Sequence, residues 1–255
     1  ISAANSDAAV KIDLRSATLQ NEAGGGGYLS RVDNQYIGYT IAYNTTGTAT
    51  IENAFGSIHN DRIDGNSTNN TINGSTGDDT LVGGTGDDVY LVDSASDVII
   101  EVDGQGTDLI QAASTSAGTT FTVADNVENL TLSDDVANNV TGNAKANSLI
   151  GNSAANSLKG LDGNDTLTGN GGSDIFIISS GSDSVTDFIS GTDKVGINFG
   201  LTYVLGEVSG NTTITSSDGA IITLNGVNNA GFNKTSDITF LGTPSPSPSP
   251  SPSPS

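Results

Sequence analysis

Aspartate or asparagine returns every nine residues in two stretches of this chain, and that spacing could do chemistry. Cut every nine residues from Gly56, the sequence reads GSIHNDRID, GNSTNNTIN, GSTGDDTLV and GGTGDDVYL. Cut from Gly142, it reads GNAKANSLI, GNSAANSLK, GLDGNDTLT and GNGGSDIFI. The first position is Gly in all eight pieces, and the sixth is Asp or Asn in all eight. The eighth is always apolar: Ile63, Ile72, Leu81, Tyr90, Leu149, Leu158, Leu167 and Phe176. Carboxylates and amide oxygens recurring beside turn carbonyls form an oxygen-only donor set. Such a set suits a hard cation, Ca2+, and not zinc or copper.

The elements that must position these side chains follow from the same columns. The first half of each repeat is a turn, where Gly permits positive φ. The second half is a very short strand whose single apolar residue points inward and stacks on its counterpart. One nonapeptide makes half a coil, so two nonapeptides complete a turn. The fold predicted is all-β, a parallel β-roll with β-rich flanking caps.

Sixth positions two repeats apart then share an edge of the roll, and this ranks the candidate metal ligands. Asp61 with Asp79 is the full carboxylate pair between two clear repeats. Asn70 with Asp88, Asn147 with Asp165, and Asn156 with Asp174 pair one amide with one carboxylate, which predicts weaker binding. Asp79 with Asp97 and Asp165 with Asp183 use repeats that lack the turn glycines. The most complete repeats also hold Gly at position four (Gly77, Gly86, Gly163, Gly172), which makes Asp79, Asp88, Asp165 and Asp174 the central ligands. A second reading stays open for the coils that begin at Gly65, Gly142 and Gly151: metal-free turns in which Asn caps backbone groups. The single histidine, His59, reads as a turn residue, since a catalytic zinc site needs about three protein ligands.

The pattern resembles the RTX, or haemolysin-type, calcium-binding nonapeptide GGxGxDxUx. The resemblance implies a roll that is loose without calcium and folds upon binding it. Residues 1–55, with KIDLRSATLQ, YIGYTIAYN and TATIENAFG, are similar to the lead-in of the C-terminal domain of serralysin-type secreted metalloproteases. Residues 20–40 depart from that likeness with a GGGG stretch. The proteolytic motif HExxHxxGxxH does not occur in the sequence. No catalytic or cofactor-binding residue other than the metal ligands is expected. One His at a turn position cannot serve a Ser-His-Asp set. The glycines belong to the repeat and not to a phosphate-binding loop.

Charge narrows the partners. The chain of 255 residues carries 29 acidic and 8 basic residues, a net charge of −21. That balance argues against nucleic acid, which requires clustered Lys and Arg, and against an anionic membrane surface. No run approaches the roughly 20 apolar residues of a spanning helix, so membrane insertion is not expected. With no Cys, stability must come from packing, metal or assembly. The front at Ile1, with no leader-like segment, reads as a processed chain or a fragment.

The organisation predicted is an N-terminal β cap at 1–55, a first RTX block at 56–91, a β spacer at 92–141, a second block at 142–186, a C-terminal β cap at 187–243 and a Ser-Pro linker or tail at 244–255. Gly83 and Gly142 are not separated by a multiple of nine, so an insertion breaks the register. SDDVANNVT regains it, with Asn138 and Val140 in the correct columns, which joins the blocks into one solenoid. The caps would cover the open ends of the roll. The Ser-Pro run favours polyproline II and would span roughly 37 Å. A stiff spacer, a glycan-bearing stalk and a docking tail all remain open for it.

The leading functional expectation is a calcium-folded structural module of a secreted or cell-surface protein, since extracellular calcium sites are weak and the cytosol is calcium-poor. Two alternatives stand beside it. One is the non-catalytic C-terminal domain of an extracellular enzyme, either a serralysin-like metalloprotease or a polysaccharide-modifying enzyme, covalently linked to that neighbour. The other is a self-associating subunit of a surface layer or fibre.

Overall fold

The computed structural model describes residues 10–13, 30–32, 35–36 and 52–242. Each nonapeptide yields one short strand, such as Arg62–Asp64, Thr71–Asn73, Thr80–Val82, Ser148–Ile150, Ser157–Lys159, Thr166–Thr168 and Ile175–Ile177. The middle residue of each is the eighth-position residue, and it is fully buried. A three-residue strand cannot hold itself together, so it persists through stacking. Each pairs in parallel with the strand two repeats on: Arg62 with Thr80, Thr71 with Val89, Ser148 with Thr166, Ser157 with Ile175. Successive repeats alternate between two faces, and their apolar residues meet in one core. This is the all-β parallel roll that the columns predict, and no helix occurs among the described residues.

The two faces differ. One is a continuous 11-stranded sheet that runs from Asn53–Phe55 to the ribbon Tyr203–Val208. The other is split into two six-stranded sheets, one ending at Val98–Ile100 and the next beginning at Thr120–Thr122. Residues 92–141 contribute strands to both faces. Leu109–Ala112 lies between Val89–Val92 and Asn129–Leu132, with Ile110 in line with Tyr90 and Leu130. The insertion is absorbed by coils wider than two nonapeptides, so that Asp88 is bonded to Asp108 and Asp108 to Glu128 across 20 positions each.

At the C-terminal end the parallel run meets antiparallel strands: Ser182–Val185 pairs with Ile221–Leu224, which turns back on Asn211–Ser216 and Tyr203–Val208. On the split face, Ile238–Leu241 pairs with Lys194–Asn198. At the N-terminal end Val10–Asp13 adds in parallel to Arg62–Asp64, and Ile12 enters the core. Most of the serralysin-like lead-in and all of the Ser-Pro tail lie outside the described residues.

The repeat glycines do two jobs. Positive φ belongs to position four, as at Gly163 (118°) and Gly172 (112°). The first-position glycines do not have it; they are required by close approach. A Cβ on Gly160 would strike the carboxylate of Asp165, in its own repeat, and one on Gly74 would strike Asp79. Gly160→Ala should therefore destabilise the folded chain by about 1–3 kcal/mol, the usual cost of overpacking, as read from thermal melts with calcium present.

Candidate metal centre

The sixth-position side chains point into the turns and line them in register. Asp61 N–H donates to Asp79 Oδ1 at 2.7 Å, and Asp79 N–H donates to Asp97 Oδ1 at 2.9 Å. On the second edge Asn70 N–H donates to Asp88 Oδ1 (2.6 Å), Asp88 N–H to Asp108 Oδ1 (2.8 Å) and Asp108 N–H to Glu128 Oε2 (2.9 Å). The same edge continues with Asn147 N–H to Asp165 Oδ1 (2.8 Å) and Asp165 N–H to Asp183 Oδ1 (3.1 Å). A third edge runs from Asn156 N–H to Asp174 Oδ1 (2.8 Å) and from Asp174 N–H to Asp193 Oδ1 (3.0 Å). Each pair named from the two-repeat spacing is thus brought together. The link is a carboxylate accepting the backbone N–H of the coil before it. His59 sits half-buried in the first turn, its N–H donating to Ser57 Oγ.

One oxygen of each carboxylate is used in this way. The second oxygens of Asp79, Asp88 and Asp165 are buried and make no hydrogen bond. An ionised carboxylate buried without a partner is costly, and the acidities show it. Burial pushes the Asp79 carboxyl up to about 7, against the Asp61 N–H bond and with help from the charges of Asp97, Asp61 and Asp93. Burial also raises Asp88 to about 7, helped by Glu101 and Asp108. Asp174 and Asp183 are pushed to about 7 for the same first reason, and Asp97 to about 6. Spare, buried carboxylate oxygens beside turn carbonyls, with no sulfur or imidazole, fit a hard divalent cation.

The asparagines behave differently. Asn147 Oδ1 accepts the N–H of Asn143 at 2.8 Å, and its Nδ2 donates to the carbonyls of Val127 and Glu128 at 3.2 and 3.3 Å. Asn156 Oδ1 accepts from Asn152 N–H, and its Nδ2 donates to Asn138 O, both at 2.8 Å. Asn70 Oδ1 accepts from Asn66 N–H at 2.8 Å. The amide therefore both caps its own turn and, at 147 and 156, bridges to the preceding coil.

Several carboxylates on these edges escaped the sequence reading. Asp108 and Glu128 stand in the ladder but are displaced from the nine-residue grid by the wider coils. The local triplets DLI and ENL, acidic residue and apolar residue two apart, carry the only signal for them. Asp193, in TDKV, has the same form. Glu101 falls in the first-position column, 18 residues after Gly83, where the pattern holds Gly, and it is buried beside Asp88 and Asp108.

Short parallel strands, a stack of single apolar residues and edges of in-register carboxylates define a β-roll of the metal-binding repeat class. The RTX calcium-binding nonapeptide repeat matches in four copies, over residues 55–99 and 150–185. The chain carries RTX repeats and is a calcium-binding β-roll module, a structural unit in its repeat region. No curated protein matches the chain. Among solved structures it is similar to the extracellular lipase LipA from Serratia marcescens, at 14% identity and a TM-score of 0.23, over 76% of this chain and 41% of that one. The chain thus spans less than half of that lipase's length.

Proposed function

We propose that the roll is a calcium-folded structural module of a secreted or cell-surface protein. The observation that carries this reading is the set of buried carboxylates with an unused oxygen, Asp79, Asp88 and Asp165. Asp61, Asp97, Asp174 and Asp183 complete the candidate ligands on the same edges. Without a cation the edges hold stacked, desolvated negative charge. With one, the spare oxygens and neighbouring turn carbonyls gain a partner, and binding free energy becomes folding free energy. Weak sites suit millimolar extracellular calcium, so a chain of this kind would stay loose in the calcium-poor cytosol and fold outside.

The test is a calcium titration of the metal-free chain, followed by circular dichroism and calorimetry. A calcium-driven gain of β-structure with several ions bound is expected. Identical spectra in calcium and in chelator, with no binding heat, would sink the reading.

The asparagine coils supply a second prediction. Their amide nitrogen does in hydrogen bonds what an ion does elsewhere. Asn156→Asp removes the bond to Asn138 O and leaves a carboxylate facing a carbonyl. The variant should be less stable than the parent without calcium, by about 1–3 kcal/mol, and should bind one more ion with it. An unchanged ion count in calorimetry would show that the Asn coils are not latent sites.

A further inference from the structure

The split face has a joint. Between Val98–Ile100 and Thr120–Thr122 no backbone ladder continues the sheet. Three carboxylates from successive half-coils converge beside this break: Asp88, Glu101 and Asp108. Their oxygens lie within 4.8 Å of one another, and all three side chains are buried, Asp88 to 1%, Asp108 to 2% and Glu101 to 8% exposure. The ion pairs seen among the described residues, Arg62 with Asp64 and Lys145 with Asp103, involve none of them.

Two further observations point to a ligand. Asp88 Oδ1 accepts the Asn70 N–H, but Asp88 Oδ2 is buried with no hydrogen bond. A methyl group placed on Gly83 would strike Asp88 Oδ2, Glu101 Oε1 and Tyr90 Oη together, so three oxygens crowd one point. Tyr90 is the exception among the eighth-position residues, which are otherwise hydrocarbon. Its hydroxyl donates to Glu101 Oε1. The counterpart of Glu101 in the second block, Asp187, stands 18 residues after Gly169 and accepts the N–H groups of Gly169 and Asn170, whereas Glu101 Oε1 accepts from Tyr90. The main-chain carbonyl of Glu101 accepts from Asn126 Nδ2 at 3.0 Å, which fixes the segment next to the break.

We propose that Asp88, Glu101 and Asp108, with the Tyr90 hydroxyl, hold a divalent cation of the calcium type inside the roll. The site starts from Asp88 and Tyr90 of the fourth nonapeptide and fastens the segment carrying Glu101 where the second face is interrupted. An all-oxygen set of three carboxylates and one hydroxyl is hard-cation chemistry. The ion neutralises charge that no basic side chain among the described residues meets, and it ties Glu101 to Asp88 and Asp108, whose strands are already paired with each other. The inference rests on the calcium-binding reading of the repeats, with Asp88 serving this point through its second oxygen.

Terbium in place of calcium provides the probe, with the full chain. The chain has no Trp and six Tyr, so excitation at tyrosine wavelengths reports ions held close to a tyrosine ring. Sensitised terbium emission is expected from the parent. Tyr90→Phe should lose most of it while calorimetry still counts nearly the full number of calcium ions. Glu101→Gln should lose the emission and one calcium ion. A Glu101→Gln chain with the parent's emission and count overturns the site. If Glu101→Gln fails to gain β-structure with calcium, Tyr90→Phe decides, and emission kept at the parent's level overturns the site. A parent chain that binds no calcium overturns the repeat reading, and this site with it.

Discussion

Stripped of calcium, the chain should gain stability as the pH falls from about 8 to about 4, and with calcium bound it should lose stability over the same range. The four carboxyls of Asp79, Asp88, Asp174 and Asp183 are held near 7 by burial, against an ordinary value of 3.8. In the unfolded chain they titrate near 4. Between those values the folded chain therefore binds more protons than the unfolded one. By linkage, the stability of the metal-free fold is greatest below about pH 4 and declines as the pH rises through about 7. Asp97, raised to about 6, and Asp165, raised by burial, act in the same direction. Calcium reverses the sign, because it binds the ionised carboxylates and protons displace it. Circular dichroism of dialysed, metal-free protein should show β-structure gained as the pH falls, while thermal melts of calcium-saturated protein should show stability lost over the same range, slopes of opposite sign. Slopes of one sign would mean that the buried carboxylates do not govern the fold.

The same carboxylates show what could be read in advance and what could not. Asp79 and Asp165 were legible because Gly, Asp and an apolar residue recur together at a fixed period, and parallel stacking converts that period directly into an edge. The burial of Ile63, Leu81, Leu149 and Leu167 was legible for the same reason. Asp108 and Glu128 were not, because a roll tolerates wider coils as readily as regular ones provided the inward residue stays in line, as Ile110 and Leu130 do with Tyr90. A fixed period cannot follow a coil that widens. Glu101 was invisible for a different reason. It stands in the first-position column, 18 residues after Gly83, where the pattern holds Gly and nothing marks a carboxylate as facing Asp88. The columns place Gly in the turn without separating positive φ, found at position four, from the lack of a Cβ, needed at position one, because the two differ only once the carboxylate facing the first glycine is located. The asparagine positions had two readings in sequence, and the donor bonds of Asn147 and Asn156 to preceding carbonyls now give the cap reading a geometry.

Phe176→Ala should cost about 3–5 kcal/mol, the range for a buried aromatic lost from a core, and should do so with calcium present. Phe176 is fully buried and is aligned with Leu158 on one side and Val195 on the other. It is the last eighth-position residue of the second block. Its ring lies 6.1 Å from Phe188, which lies 6.0 Å from Phe232. These three rings join the repeats to the strands that close the C-terminal end, where the coil pattern stops and antiparallel pairing begins. In a solenoid each coil is supported chiefly by its neighbours, so a cavity here weakens the repeat stack and its closing strands together. Calcium is not expected to compensate, because the candidate ligands of this end, Asp174 and Asp183, lie on the edges and the cavity lies between the faces. Denaturation in urea with saturating calcium should show the loss, with the calorimetric ion count unchanged. Leu149→Ala, deep in the roll and away from the rings, provides the comparison at about 2–5 kcal/mol. If Phe176→Ala cost under about 1 kcal/mol, well below the range for such a truncation, the C-terminal strands would be packed beside the roll without stabilising it. An ion lost together with the ring would mean that core and edge are coupled, contrary to the division of labour drawn from Phe176 and Asp174.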